Sequence, residues 1–154
     1  MLRFFDTCNG KCYIIPENQR GYSWLPQNVE SVFSDLELSE SQNHYMGPII
    51  VTRTERDDFQ TDNFNTVAEF TLEDGQQRLT TFFLIVSEIK RRIEEINGMP
   101  DIESQELGKL LFYPKGGDIL RIRNSNSELN QYLSFKLTGF PAPPSQKTPP
   151  MMAL

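Results

Sequence analysis

The sequence predicts a small α+β domain, because strand-like and helix-like patterns both occur in a chain of 154 residues. Runs of β-branched and aromatic residues predict strands over 11–15, 44–52 and 67–72. Apolar residues at helical spacing predict two amphipathic helices, over 26–38 and over about 76–97. A chain of this length can bury one core, so the helices are expected to pack on one small sheet.

Local signals refine the elements in the first half of the chain. Residues 4–8 and 11–15 read as a hairpin, because an Asn-Gly pair separates them. Pro26 suits the first position of the helix that follows it. Gly47-Pro48 predicts a bulge or edge position in the strand over 44–52. Residues 53–66 are polar and charged without periodicity and predict a loose hairpin connection.

The second half of the chain carries clear helix stops and starts. The long helix is expected to end at Asn97-Gly98, since glycine suits the left-handed position after a helix. Residues 102–112 predict a short helix, and residues 119–123 predict a strand. Asn126 is a candidate cap for a helix over 127–136.

Composition favours one domain over residues 1–138, followed by a proline-rich tail over 139–154 without regular structure. The formal charge of −6 argues against a general grip on nucleic acid, which rests on many Lys and Arg contacts. No run approaches the roughly 20 apolar residues of a membrane span, and the N-terminus lacks a secretory apolar stretch. The expected location is therefore the cytoplasm, with no membrane partner.

Cysteine and histidine content leaves little room for a metal centre. Cys8 and Cys12 are expected to be reduced thiols, and His44 is the only histidine. Neither a zinc set nor the clustered histidines of an HNH-type nuclease can be assembled from these residues. The metal ligands of this chain therefore stay unassigned, and its sequence offers no phosphate loop of the Walker type.

The most informative motif is DGQQRLTT, which runs from Asp74 to Thr81 between a predicted strand and the long helix. The first turn of a helix presents free backbone N–H groups and a partial positive charge, which together suit an anion. Arg78 adds a planar fork of donors, and Gln76 and Gln77 add neutral polar groups. At Gly75 no side chain stands between the turn and a bound anion. The motif therefore predicts a phosphate site.

Structural roles are open for the same residues. Asp74 can cap the long helix, or it can orient a water molecule or a metal ion, or position Arg78. For Arg78 the alternative to a phosphate contact is a buried ion pair. The run Lys90-Arg91-Arg92 has acidic neighbours, and its most economical interpretation is a solvated helix face.

A second motif, IPENQRGYSW, runs from Ile15 to Trp24 in a predicted loop. Gln19 and Arg20 are candidates for contacts with a phosphate or a base, and Tyr22 or Trp24 would shape the pocket. The alternative is that Tyr22 and Trp24 pack against the helix over 26–38. In that case Arg20 would pair with a surface carboxylate.

The two motifs, in this order, resemble those of the N-terminal domain of GmrSD-type restriction enzymes. The family's first motif carries an aromatic residue where this chain has Asn18, whereas the second motif is complete from Asp74 to Thr81. The strand at Tyr45 to Ile50 is similar to a third family segment. The resemblance implies a ParB/sulfiredoxin-like fold, in which a small mixed sheet is flanked by helices.

The resemblance also implies an activity. Family members couple NTP hydrolysis, often of GTP, to cleavage of modified foreign DNA in phage defence. Carried over, Asp74, Gln77 and Arg78 would be catalytic, and Gly75, Gln76, Gln19, Arg20 and Tyr22 would bind the nucleotide. Magnesium would accompany the triphosphate. The implied partners are modified DNA and an HNH-type nuclease domain or subunit, since family proteins are usually longer than this chain.

Two other functions remain open at the level of sequence. The arginine-containing turn could hold a DNA phosphate in a non-catalytic DNA-binding or protein-docking module. Alternatively, the chain could be a truncated remnant that keeps the fold without activity. Nucleotide affinity separates both alternatives from the NTPase.

Overall fold

The computed structural model describes residues 10–38, 47–56, 59–60, 66–113 and 119–139. The helices in these ranges are α1 (Pro26–Leu38), α2 (Gln76–Asn97), α3 (Ile102–Leu111) and α4 (Ser127–Thr138). The strands are β1 (Lys11–Ile15), β2 (Ile50–Arg53), β3 (Phe59–Gln60), β4 (Thr66–Asp74), β5 (Phe112–Tyr113), β6 (Ile119–Leu120) and β7 (Ile122–Asn124). The predicted α+β class is confirmed.

The main sheet is mixed and has the strand order β2-β4-β1-β7, with β3 also pairing with β4. The central strand β1 runs parallel to both of its neighbours, with Tyr13 opposite Phe70 of β4 and Ile122 of β7. The strands β2 and β3 run antiparallel to β4. The predicted small mixed sheet with helices is confirmed. Its ParB/sulfiredoxin-like arrangement stays a prediction.

This topology decides where the two sequence motifs meet. Parallel neighbours end at the same edge of a sheet, and β1 and β4 end at Ile15 and Asp74. The chain leaves β1 into the loop over 16–25 and leaves β4 into the turn before α2. The first motif therefore lies beside the second, although they are distant in sequence.

The core forms between α2 and the inner face of the sheet. Leu79 and Phe83 of α2 are fully buried, as is Leu72 of β4. Further buried members of this cluster come from the other elements, namely Tyr13, Ile15, Val86, Leu110, Leu111, Leu120, Ile122, Leu133 and Leu137. Since α2 carries several of these residues, its position on the sheet is fixed by apolar burial along its length.

Several predicted helix boundaries are confirmed. The long helix occupies Gln76–Asn97, and Gly98 follows it in the left-handed conformation with φ of 71°. Asn126 caps α4, because its side chain accepts hydrogen bonds from the backbone N–H groups of Glu128 and Leu129. Caps of this kind satisfy N–H groups that the helix itself cannot pair.

The strand predictions needed three corrections. The strand predicted over 44–52 begins at Ile50, since Gly47 has a φ of 87° and the register shifts between Ile50 and Val51. The strand predicted over 119–123 is broken at Arg121, whose backbone N–H donates to the Leu111 carbonyl at 2.9 Å. The short strand β3 lies within the connection predicted over 53–66.

Other predictions lie partly or wholly outside the described residues. The hairpin partner predicted over 4–8 is among them, as are His44 and the proline-rich tail after Gly139. Within the described ranges, no helix combines the length and the apolarity needed to cross a bilayer.

Candidate functional site

Gln19 fastens the first motif to the end of β4. Its side-chain amide nitrogen donates to the carbonyl oxygens of Leu72 at 3.1 Å and Glu73 at 2.7 Å. Both acceptors are in the last residues of the strand that leads into the turn. Gln19 therefore closes the loop over 16–25 onto the adjacent strand, and its amide N–H groups are used in doing so.

The two glutamines of the second motif complete this attachment from the helix side. Gln76, which is 5% exposed, donates from its Nε2 to the Arg20 carbonyl at 2.9 Å. Gln77 donates to the Gly21 carbonyl at 3.0 Å and accepts from the Ser23 backbone N–H at 2.8 Å. The Gln77 amide thus pairs with the loop backbone as a neighbouring strand would.

Tyr22 extends the attachment by one turn of α2. The phenol of Tyr22 lies 2.8 Å from the Thr81 hydroxyl, and that hydroxyl donates to the Gln77 carbonyl at 2.8 Å. Because the Thr81 proton is used there, Tyr22 is the donor in the first contact. The hydroxyl of Tyr22 therefore contacts α2 and not α1, the helix against which the alternative placed it. That Tyr22 shapes a nucleotide pocket stays a prediction. The side chain of Trp24, the other aromatic residue of the motif, is half-buried.

The environment of Tyr22 predicts a pH dependence of stability. Burial raises the pKa of the Tyr22 phenol, and the hydrogen bond with Thr81 only partly opposes this shift. A raised pKa in the folded state means that stability is intact below the unfolded pKa of about 10 and is lost as the pH rises through the folded pKa.

We expect Tyr22→Phe to lower the free energy of unfolding at pH 7 by about 1 kcal/mol, because one buried hydrogen bond is lost. The variant should then lose less stability than the parent between pH 9 and pH 11, since its residue 22 cannot ionise. Urea unfolding at several pH values measures both effects. Tyr132→Phe on α4 is the control, and equal alkaline losses in the parent and Tyr22→Phe would contradict the expectation.

Gly75 is the N-cap of α2, with φ of 88° and no side chain capping the helix. The interpretation of Asp74 as the helix cap is therefore wrong. Gly75 occupies the N-cap position in a left-handed conformation, and Asp74 precedes it as the last residue of β4. The backbone of residues 48 and 49 also lies close to Gly75. A Cβ at Gly75 would lie 3.2 Å from both the Ile49 Cα and the Pro48 carbonyl.

We expect Gly75→Ala to destabilise the domain by roughly 2–4 kcal/mol, which combines left-handed strain with the approach of Pro48 and Ile49. Gly98→Ala is a matched control, because Gly98 has φ of 71° and a Cβ added there would meet nothing within 4 Å. Thermal or urea unfolding of both variants separates backbone strain from close contact. Equal losses in the two variants would show that the contact with residues 48 and 49 is unimportant.

Arg78 is held at the opposite side of the turn from the loop. Its Nη2 donates to the Pro48 carbonyl at 2.7 Å and lies 3.6 Å from the Asp74 carboxylate. The guanidinium covers Gly47, where an added Cβ would lie 2.0 Å from its Nη1. The Arg78 side chain is 26% exposed and that of Asp74 is 62% exposed, so the ion pair is at the surface. Asp74 thus helps to orient Arg78.

Arg20 has a different environment from Arg78. Its backbone carbonyl is tied to Gln76, whereas its side chain is exposed. Among the described residues, no carboxylate forms an ion pair with it. The alternative that Arg20 pairs with a surface carboxylate finds no support in this part of the chain.

The remaining candidates have structural explanations. Cys12 is a free, buried thiol, and burial raises its pKa, whereas Cys8 lies outside the described residues. Arg91 and Arg92 are paired with Glu88 and Glu95 on the surface of α2. Among the described residues, no group of three or more His, Cys, Asp or Glu side chains could hold a metal ion.

Comparison with known families decides the affiliation of the chain. Residues 3–143 match the family described as GmrSD restriction endonuclease, N-terminal domain. The chain belongs to this family. The match confirms the resemblance inferred from the IPENQRGYSW and DGQQRLTT motifs, and it extends through α4 to the residues after Gly139. No curated protein matches the chain.

For this GmrSD-type domain, the geometry brings together most of the predicted site residues. Gln19, Gln76, Gln77 and Tyr22 join the loop to α2, while Asp74 and Arg78 lie on the side of Pro48. Sequence reasoning gave Gly47 only a bulge or edge position in a strand, and it gave Thr81 no role beyond its place in the motif. The glycine before Pro48 is the sequence signal that could have marked a position where a long side chain such as that of Arg78 lies against the backbone.

Proposed function

We propose that this domain binds and hydrolyses a nucleoside triphosphate, with GTP favoured, at the N-terminus of α2. The main support is the attachment of the loop that contains Arg20 to Gln76 and Gln77, the first two residues of α2. Arg78 is the next residue of this helix. This attachment brings the Arg20 backbone to the start of α2, a helix that carries Arg78 in its first turn and that no side chain caps. Such a surface suits a phosphate chain in charge and in hydrogen-bond donors.

The arginines would carry the charge stabilisation. In phosphoryl transfer to water, catalysis consists mainly of positioning and of stabilising charge on the transferred phosphoryl oxygens. Arg78 enters this role already oriented by Pro48 and Asp74. Arg20 is the counterpart from the loop, because its exposed side chain can turn toward a bound phosphate without breaking an ion pair with a described residue.

Magnesium would arrive with the triphosphate. Mg²⁺ is usually held by one or two carboxylates together with the phosphates themselves. Asp74 is the candidate carboxylate, since its side chain is 62% exposed beside Arg78. The ion would neutralise charge on the phosphates.

The glutamines and Tyr22 would position the site instead of contacting the reacting atoms. Gln77 was predicted to be catalytic, yet both ends of its amide are bonded to the loop backbone. The amide groups of Gln19 and Gln76 are engaged in the same way. We therefore assign these side chains the task of holding Arg20 beside α2, and we assign phosphate contacts to Arg20, Arg78 and the backbone of the turn.

At the level of the whole assembly, we propose that hydrolysis licenses an HNH-type nuclease domain or subunit to cut modified phage DNA. The family description, which places this domain in a restriction endonuclease, supports this step. The net charge of −6 is compatible with a domain that binds a nucleotide while other parts of the assembly bind the DNA.

Calorimetric titration of the purified chain with GTP, ATP and CTP, each with Mg²⁺, tests this proposal. We expect saturable binding with a preference for GTP. A parallel titration with duplex DNA tests the non-catalytic alternative. Salt-sensitive DNA binding without nucleotide affinity would favour a DNA-binding module, and a folded chain that binds neither would indicate an inactive remnant.

A further inference from the structure

A cavity of about 680 Å³ lies along α2 on the side away from Arg78, between α2 and α4. Residues two positions apart on a helix point roughly 200° apart, so Thr80 faces this cavity while Arg78 faces Pro48. The volume falls within the range of small-molecule sites, about 300–1,000 Å³. Tyr22 also lines the cavity, whereas Arg20 and Arg78, to which we assign the phosphate contacts, do not.

The walls of the cavity are largely apolar. Leu133 and Leu137 of α4 contribute from one side, and Leu84 of α2 and Phe112 of β5 contribute from the other. Leu133 and Leu137 are 3% and 4% exposed, whereas Leu84 and Phe112 are only partly buried. An apolar body of a ligand would cover these two half-buried side chains and gain the usual free energy of apolar burial.

Thr80 supplies an unpaired polar group in this apolar wall. It is 1% exposed, and its hydroxyl has no hydrogen-bond partner among the described residues. The neighbouring Thr81 hydroxyl, in contrast, bonds the Gln77 carbonyl one turn back. A buried unpaired hydroxyl is costly, and a ligand atom that pairs with it removes that cost.

One cation at the cavity favours an anionic ligand. Lys90 and Arg91 line the cavity, but they are paired with Glu94, Glu88 and Glu95 on the same helix. Lys136 of α4 lines the cavity as well and supplies a positive charge beyond these pairs. The run Lys90-Arg91-Arg92 was predicted to be a solvated helix face. Two of its residues, Lys90 and Arg91, lie at the edge of this cavity.

We propose that this cavity binds a small amphipathic organic anion, with an aromatic or aliphatic body, one acidic group, and one polar atom that pairs with Thr80. The apolar body would lie between Leu84 and Leu137, and the acidic group would reach Lys136. The proposal does not rest on the nucleotide site, because neither Arg20 nor Arg78 lines the cavity and Tyr22 is the one predicted site residue that does.

The probe is anilinonaphthalene sulfonate, which combines fused apolar rings with one sulfonate. We expect saturable binding with one probe per chain, unaffected by GTP and Mg²⁺. Leu84→Trp, which fills the cavity, should weaken binding at least roughly tenfold, a difference of about 1.4 kcal/mol. Lys136→Gln should weaken it by a smaller factor. Ile96→Ala is the control, because Ile96 is an apolar residue of α2 that is 83% exposed and is not part of the cavity.

Thr80→Val keeps the side-chain shape and decides the role of the hydroxyl. We expect a higher melting temperature without ligand, because an unpaired buried hydroxyl is replaced by a methyl group. Probe affinity should fall in the same variant. A lower melting temperature would show that the hydroxyl already has a partner and would contradict the proposal. If Leu84→Trp does not fold, Thr80→Val and Lys136→Gln decide, and unchanged affinity in both would overturn it.

Discussion

Replacing Gln77 by Ala is expected to lower the free energy of unfolding by roughly 2–4 kcal/mol. The substitution removes two hydrogen bonds at once, the one donated to the Gly21 carbonyl and the one accepted from the Ser23 N–H. Each leaves a partly buried backbone group without its partner, and an unmade buried hydrogen bond costs about 1–3 kcal/mol. The loop would then be held to α2 only by the contacts of Gln76 and Tyr22.

Urea unfolding measures this loss directly. Gln105→Ala is the matched control, since Gln105 is an exposed glutamine within α3. Gln77→Glu should fall between the parent and Gln77→Ala, because a carboxylate can still accept from Ser23 but cannot donate to Gly21. A loss in Gln77→Ala no larger than in Gln105→Ala would mean that the loop is held by other contacts.

Replacing Arg78 by Ala is expected to abolish nucleotide binding while the fold survives. Arg78 is the best-oriented cation at the turn, and a charge-assisted contact to phosphate is about twice as strong as a neutral one. Its contact with the Pro48 carbonyl is at the exposed surface, so its removal should cost the fold only about 1 kcal/mol.

Calorimetry with GTP and Mg²⁺, paired with thermal unfolding, separates binding from folding in this variant. Arg92→Ala is the matched control, because Arg92 is on the same helix, is 65% exposed, and is paired with Glu88 and Glu95. Unchanged GTP affinity in a folded Arg78→Ala protein would remove Arg78 from the site.

Sequence periodicity predicted the helices well for a physical reason. The 22 residues of α2 repeat their apolar positions at helical spacing, and Gly98 ends the helix by local backbone preference. The same holds for α1, which occupies the predicted range Pro26–Leu38. Signals of this kind are local, so a single sequence contains them.

Contacts between distant segments explain the errors. Asp74 is followed by a glycine whose left-handed conformation accompanies the approach of Pro48 and Ile49, and no local signal reports that approach. The break at Arg121 likewise depends on a hydrogen bond to Leu111 in another element. Short strands such as β3 have too few residues to show a period.

The candidate site was found by motif, but its geometry was not predictable from the motif alone. Whether the Gln77 amide faces a ligand or the loop depends on the parallel pairing of β1 with β4, which brings Gly21 and Ser23 to the helix. The cavity at Thr80 depends on the position of α4, which only the folded chain defines. Residue identities were therefore accessible, whereas their division into binding and positioning roles was not.

The central claim is that the two motifs form one nucleotide-binding surface at the start of α2. Amide chemical-shift mapping of the labelled chain with GTP and Mg²⁺ tests it most directly. We expect shifts concentrated at residues 19–23 and 75–79. Shifts concentrated at Leu84, Leu133 and Leu137 would place the nucleotide in the cavity between α2 and α4, and an unchanged spectrum at saturating GTP would contradict nucleotide binding altogether.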